Sequence, residues 1–77
     1  MTKLVPISAK QMIKILTQIE FKFQHQKGSH AVFRHEDGRT TTVPIHPGEN
    51  LDRSMIRKIL RDVDMTLEDY EKLRMKN

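Results

Sequence analysis

Residues 21–45 read FKFQHQKGSHAVFRHEDGRTTTVPI, and the hydrophobic period of this stretch decides the fold. From its first residue, Phe21, Phe23 and His25 alternate with Lys22, Gln24 and Gln26, the two-residue period of a strand with one dry face. Lys27-Gly28-Ser29 breaks that run. A second strand is expected over about His30–His35, where Ala31 and Phe33 alternate with His30, Val32 and Arg34. Glu36-Asp37-Gly38-Arg39 contains Asp-Gly, a strong hairpin signal. The third strand, Thr40–Ile45, alternates Thr41, Val43 and Ile45 with Thr40, Thr42 and Pro44. Three consecutive strands on short links make an antiparallel meander.

The flanks of this stretch read as helices. Upstream, Ser8-Ala9-Lys10-Gln11 is a capping box, and Met12, Ile13, Leu16 and Ile19 recur at helical spacing, which predicts an amphipathic helix over about residues 9–19. Downstream, His46-Pro47-Gly48-Glu49-Asn50 is a loop by composition. Asp52 is suited to cap a second helix whose apolar stripe is Met55, Ile56, Ile59, Leu60 and Val63. Thr66 can cap a short third helix through about Met75, with Leu67, Tyr70 and Leu73 facing inward. The expected class is α+β: α-β-β-β-α with a short C-terminal helix, the helices packed on one face of the three-stranded antiparallel sheet and the other face wet.

Composition narrows what such a chain can do. Its 77 residues suit one domain over 1–77, and with hydrophobic types at 36% they leave little material for a large ligand cavity. Cysteine is absent, so disulfide scaffolds, thiolate zinc sites and cysteine nucleophiles are excluded. No apolar run approaches the roughly 18–20 residues of a membrane span and no signal-peptide pattern is visible, which points to a cytoplasmic address. The net charge of +4 is unevenly spread. Residues 1–34 carry Lys3, Lys10, Lys14, Lys22, Lys27 and Arg34 against the single acid Glu20, whereas residues 62–77 are acidic on balance. A polyanion should meet the first half.

Strict alternation assigns Lys22, Gln24, Gln26, His30, Val32, Arg34, Thr40 and Thr42 to the open sheet face, a surface of cations and hydrogen-bonding groups without a carboxylate. Such a face suits a phosphate backbone, which cations neutralise and amides or hydroxyls position. Gly28 admits backbone conformations closed to other residues, its amide and that of Ser29 can form an anion-binding nest, and Lys27 adds a charge. His30 stands beside that turn at the mouth of a strand. An imidazole can both take and give a proton near neutral pH. Next to a phosphodiester it could remove the proton of a ribose 2′-hydroxyl while neighbouring cations stabilise the charge developing on phosphate. His25 and His35 share the parity of the core-facing residues. That parity puts His25 opposite His30, so no metal site is expected. For His46, in its Pro-rich turn, the expectation is a loop-ordering role through backbone hydrogen bonds, with assistance in the site only where the loop folds back toward Gly28. The cationic residues Arg53, Arg57, Lys58 and Arg61 are expected to point outward from the second helix.

The chain resembles the HicA toxin family, small ribonucleases of toxin–antitoxin pairs. The likeness runs through the opening helix with Met12, Ile13, Leu16 and Phe21, then Lys27-Gly28-Ser29-His30, Phe33-Arg34-His35 and Asp37-Gly38. It continues through Val43-Pro44-Ile45-His46-Pro47-Gly48 and Arg57-Lys58-Ile59-Leu60-Arg61-Asp62, leaving out only the last dozen residues. The resemblance implies a fold like a double-stranded-RNA-binding domain and metal- and cofactor-independent cleavage of mRNA. It also implies inhibition by a cognate HicB-like antitoxin and a catalytic histidine after Gly-Ser, which maps onto His30. On this reading Lys27, Gly28, Ser29, Lys22 and Arg34 contact the RNA. Three positions depart from the family pattern. Glu20 and Ser54 stand where glycine is common, and Ala31 stands where a histidine or aromatic able to touch RNA often follows the catalytic residue. The rival readings are a non-catalytic RNA-binding module that recognises A-form shape and, more remotely, a protein-docking domain with a basic face.

Overall fold

The computed structural model describes residues 4–76; Lys3, counted above in the basic half, lies outside them. The element order is α1 (Ala9–Gln18), β1 (Lys22–Lys27), β2 (His30–Arg34), β3 (Thr40–Pro44), α2 (Arg53–Asp62) and α3 (Leu67–Lys76). The strands form one antiparallel sheet in the order β1-β2-β3. The α+β layout expected from the alternation is therefore present, and it fits the double-stranded-RNA-binding-domain-like fold that the resemblance implies. The last helix, expected through about Met75, runs to Lys76 and equals α1 and α2 at ten residues.

Local chemistry sets the helix starts. The Ser8 hydroxyl accepts from the Gln11 amide while the Gln11 side chain accepts from the Ser8 amide, so the capping box closes in both directions. Asp52 caps α2 through the Met55 amide, and Thr66 accepts from the Asp69 amide at the head of α3. Both internal helix ends use one device. At α1 the Phe21 amide reaches the Leu16 carbonyl and the Glu20 amide reaches Thr17; at α2 the Met65 amide reaches Leu60 and the Asp64 amide reaches Arg61. These are Schellman closures, and they put Glu20 (φ 69°) and Asp64 (φ 57°) in the left-handed region.

That geometry is one that glycine would adopt at position 20 without strain. A left-handed residue with a Cβ costs about 1 kcal/mol or more, which glycine does not incur. Glu20 is exposed and only its backbone takes part in the closure. We expect Glu20→Gly to stabilise the protein by about 1 kcal/mol and to raise Tm by about 4–8 °C, read by thermal denaturation.

One core fills the space between sheet and helices. Ala31, Phe33 and Val43 from the sheet meet Met12, Ile15 and Leu16 of α1 and Ile56, Ile59 and Leu60 of α2. Thr41 is buried with them, its hydroxyl donating to Asp62 Oδ2 at 3.1 Å. The N-terminal approach adds Leu4 and Ile7, and the loop before α2 adds Leu51, apolar positions with no periodicity to announce them. The Ile7 carbonyl accepts from the Leu51 amide, and Arg53, exposed as expected, donates from Nε to the Leu4 carbonyl and so braces the chain. Tyr70 of α3 is fully buried and its hydroxyl donates to the Val5 carbonyl at 2.8 Å; burial pushes its pKa up to about 12. Leu73 packs partly against the core, whereas Leu67, expected inside, is 40% exposed because α3 touches the domain by one narrow stripe.

Candidate nucleic-acid interface

The sheet face away from the helices is built by register. β2 and β3 pair without interruption, His30 opposite Pro44, Val32 opposite Thr42 and Arg34 opposite Thr40, so their parity is as the alternation predicts. Val32 stays on the open face, with Ala31 and Phe33 buried on the other.

β1 departs from strict alternation. Lys22 faces Arg34 and Phe23 faces Phe33, but the next pair is His25 with Val32, followed by Gln26 with Ala31 and Lys27 with His30. One extra residue, Gln24, is accommodated as a bulge, and beyond it every side chain changes face. Three expectations are corrected by this. His25 lies on the open face with His30, not opposite it; Gln26 moves to the helix side; and Lys27 is a strand residue of the open face. The bulge left no mark in the apolar pattern because β1 is an edge strand whose six residues are all exposed. Phe23, expected in the core, is 56% exposed for the same reason, although its ring meets Phe33 edge-on at 5.8 Å.

The open face thus carries Lys22, His25, Lys27, His30, Arg34, Thr40 and Thr42 around Val32, with three full cations and no carboxylate. The bulge makes it more basic than strict alternation does, since Lys27 replaces a glutamine. Asp37, in the turn between β2 and β3, is occupied elsewhere. Its carboxylate accepts from the Arg39 amide at 3.0 Å and from Arg39 Nε at 2.7 Å, and the backbone bond holds it below the usual carboxylate range. His35 is also committed. Its ring lies 5.3 Å from that of Phe21, and Nδ1 accepts from the Asp37 amide. Ala31 is 1% exposed on the helix side, so a larger residue there would press into the core and not reach a ligand on the open face. Nothing in the structure accounts for Ser54, which is exposed in the first turn of α2.

The β1–β2 connection is a two-residue hairpin. Gly28 has φ +60° and Ser29 a negative φ, the glycine-first pattern of a II′ turn. A residue with a Cβ would be strained there although the space beside Gly28 is open. The Ser29 carbonyl accepts from the Ile45 amide at 2.6 Å and the Gly28 carbonyl from Gln26 Nε2 at 2.9 Å. Among the described residues neither the Gly28 nor the Ser29 amide donates to a protein group, which leaves both donors at the rim.

His30 follows that turn, exposed and without a side-chain hydrogen bond among the described residues. It lines a groove of about 300 Å³ together with Pro44, His46, Glu49, Asn50, Leu51, Asp52 and Met55. The loop after β3 has therefore folded back toward Gly28. His46 orders that loop through its backbone: its carbonyl accepts from the Glu49 amide, beside the bonds from Ile45 to Ser29 and from Leu51 to Ile7. Among the described residues no group of three His, Asp or Glu side chains is arranged to hold a metal ion. Among the described residues no helix is long and apolar enough to cross a membrane.

The family model described as "HicA toxin of bacterial toxin-antitoxin" matches residues 9–65 of the chain. The match begins with α1 and ends just after α2, so it contains the whole sheet, the Gly28-Ser29 turn, His30 and the loop with His46. No individually curated protein matches the chain.

Proposed function

The chain belongs to the HicA toxin family of bacterial toxin–antitoxin systems, and from that premise we propose that it is an endoribonuclease that cleaves mRNA without a metal or cofactor. The observation that carries this reading is the position of His30, exposed beside the Gly28-Ser29 turn on a sheet face that holds Lys22, Lys27 and Arg34 and no carboxylate. RNA lies across that face with its phosphates against the three cations and the free turn amides. His30 takes the proton of the 2′-hydroxyl, the 2′-oxygen attacks the adjacent phosphorus, and the bond to the 5′-oxygen breaks, leaving a 2′,3′-cyclic phosphate and a 5′-hydroxyl. The charge that builds on the phosphoryl oxygens is stabilised by Lys27 and the backbone donors. A HicB-like antitoxin, acting in the cytoplasm, inhibits most directly by covering His30.

The mechanism is tested by one atom of the substrate. In an RNA oligonucleotide cut by the protein in the presence of EDTA, replacement of the 2′-hydroxyl at the cut site by hydrogen should abolish cleavage there and leave binding within about threefold. Continued cutting of the deoxy linkage would reject the mechanism. Salt-sensitive binding with no new RNA ends from either oligonucleotide would favour a module that only binds RNA.

A further inference from the structure

The reaction proposed above needs two proton transfers, and they occur on opposite sides of phosphorus. In an in-line displacement the attacking 2′-oxygen and the departing 5′-oxygen are apical and about 180° apart, so a ring hydrogen-bonded to one is poorly placed for the other. His30 by itself serves one end.

A second imidazole is placed to serve the other. The β2–β3 ladder pairs His30 with Pro44, and the 2.6 Å bond from the Ile45 amide to the Ser29 carbonyl carries the pairing one residue beyond the strands. Extended two residues past Pro44, where the strand ends, that register sets His46 beside the Gly28-Ser29 turn, on the diagonal from His30 and with the facial parity of His30 and Pro44. Diagonal neighbours in an antiparallel pair stand roughly 7–8 Å apart. Two hydrogen bonds of about 3 Å plus the span between the apical oxygens call for ring nitrogens roughly 9–10 Å apart, which side chains splaying outward from backbones at that spacing can reach. The two histidines line the same groove, and His46 is exposed, with its ring free of hydrogen bonds among the described residues. Two carboxylates also border the groove, but Asp52 is engaged as the cap of α2. His25 is a second diagonal neighbour of His30 on the open face, but it does not line this groove, whereas the His46 imidazole does.

We propose that His46 is the general acid of the cleavage reaction, protonating the 5′-oxygen as its bond to phosphorus breaks while His30 holds the proton removed from the 2′-hydroxyl. The step balances: one proton leaves the 2′-oxygen to His30, one arrives at the 5′-oxygen from His46, the P–O5′ bond is exchanged for P–O2′, and solvent returns both rings to their starting states. The inference rests on the ribonuclease reading, and its test separates the two.

The cut site in a short RNA is mapped with wild-type protein, and the same RNA is made with sulfur replacing the bridging 5′-oxygen at that linkage. A thiolate leaves without protonation, so it removes the need for an acid and only for an acid. His46→Ala and His46→Gln should each lose about 10²–10³-fold in kcat on the oxygen substrate and recover to within about tenfold of wild type on the sulfur substrate. His30→Ala should be deficient on both. Wild-type rates for the His46 variants on the oxygen substrate would overturn the proposal and leave the ribonuclease reading standing. Equal losses on both substrates, with melting curves unchanged, would overturn it in favour of a positioning role. Cleavage of the oxygen substrate by His30→Ala at the wild-type rate would instead overturn the reading on which it rests.

Discussion

Substitution of His30 by alanine should lower the rate of RNA cleavage by roughly 10²–10⁴-fold, the contribution of a positioned acid or base, and so relieve growth arrest when the protein is expressed without its antitoxin. The same variant should melt within about 2–4 °C of wild type. Both halves follow from where the residue stands. The ring is exposed and makes no hydrogen bond among the described residues, so its removal opens no cavity and strands no partner. Exposed substitutions of this kind change stability by about 0.5 kcal/mol or less. The buried side chains on either flank would behave differently: Phe33→Ala would cost about 3–5 kcal/mol and abolish activity by unfolding the sheet. A loss of cleavage by His30→Ala with unchanged melting therefore assigns chemistry, whereas a loss accompanied by a collapsed melting transition would assign only structure. Undiminished cleavage would remove His30 from the mechanism.

Much of this architecture was legible in the residues because the relevant signals are local. A capping box, an Asp-Gly turn and a clean alternation in β2 and β3 each depend on neighbours a few positions apart, and each is realised. The bulge at Gln24 was not legible. In an exposed edge strand both faces are polar, so slipping the register by one residue changes no burial and leaves no apolar trace. The error passed directly into the site, placing Gln26 where Lys27 stands and setting His25 against His30. Leu4, Ile7 and Leu51 carry no signal for a related reason: they lie in irregular chain, where no period marks an inward side. His46 is a third kind of case. Its identity was plain, but its nearness to His30 depends on one long-range backbone bond, from Ile45 to Ser29, that no pattern of side chains encodes.

The corrected register has a measurable consequence for RNA affinity. With Lys22, Lys27 and Arg34 on one face, simultaneous replacement of all three by glutamine removes three phosphate contacts. For single-stranded nucleic acid, each contact steepens the plot of log affinity against log salt by about 0.7, so the slope should become shallower by about 2. At 0.1 M salt, one decade below the point where this term vanishes, the same figure corresponds to about 100-fold weaker binding. The comparison that isolates the face is a second triple variant of equal charge change, Lys14, Arg57 and Arg61 to glutamine. All three are exposed on helices, and the helices pack against the other side of the sheet. If net charge alone attracted RNA, the two triple variants would lose affinity equally, since long-range attraction depends on total charge more than on its placement. If RNA lies on the open face, the strand variant loses its contacts and the helix variant retains them, with affinity within about fivefold of wild type. A larger loss for the helix variant would move the RNA to the opposite side and, with it, the scissile phosphate away from His30.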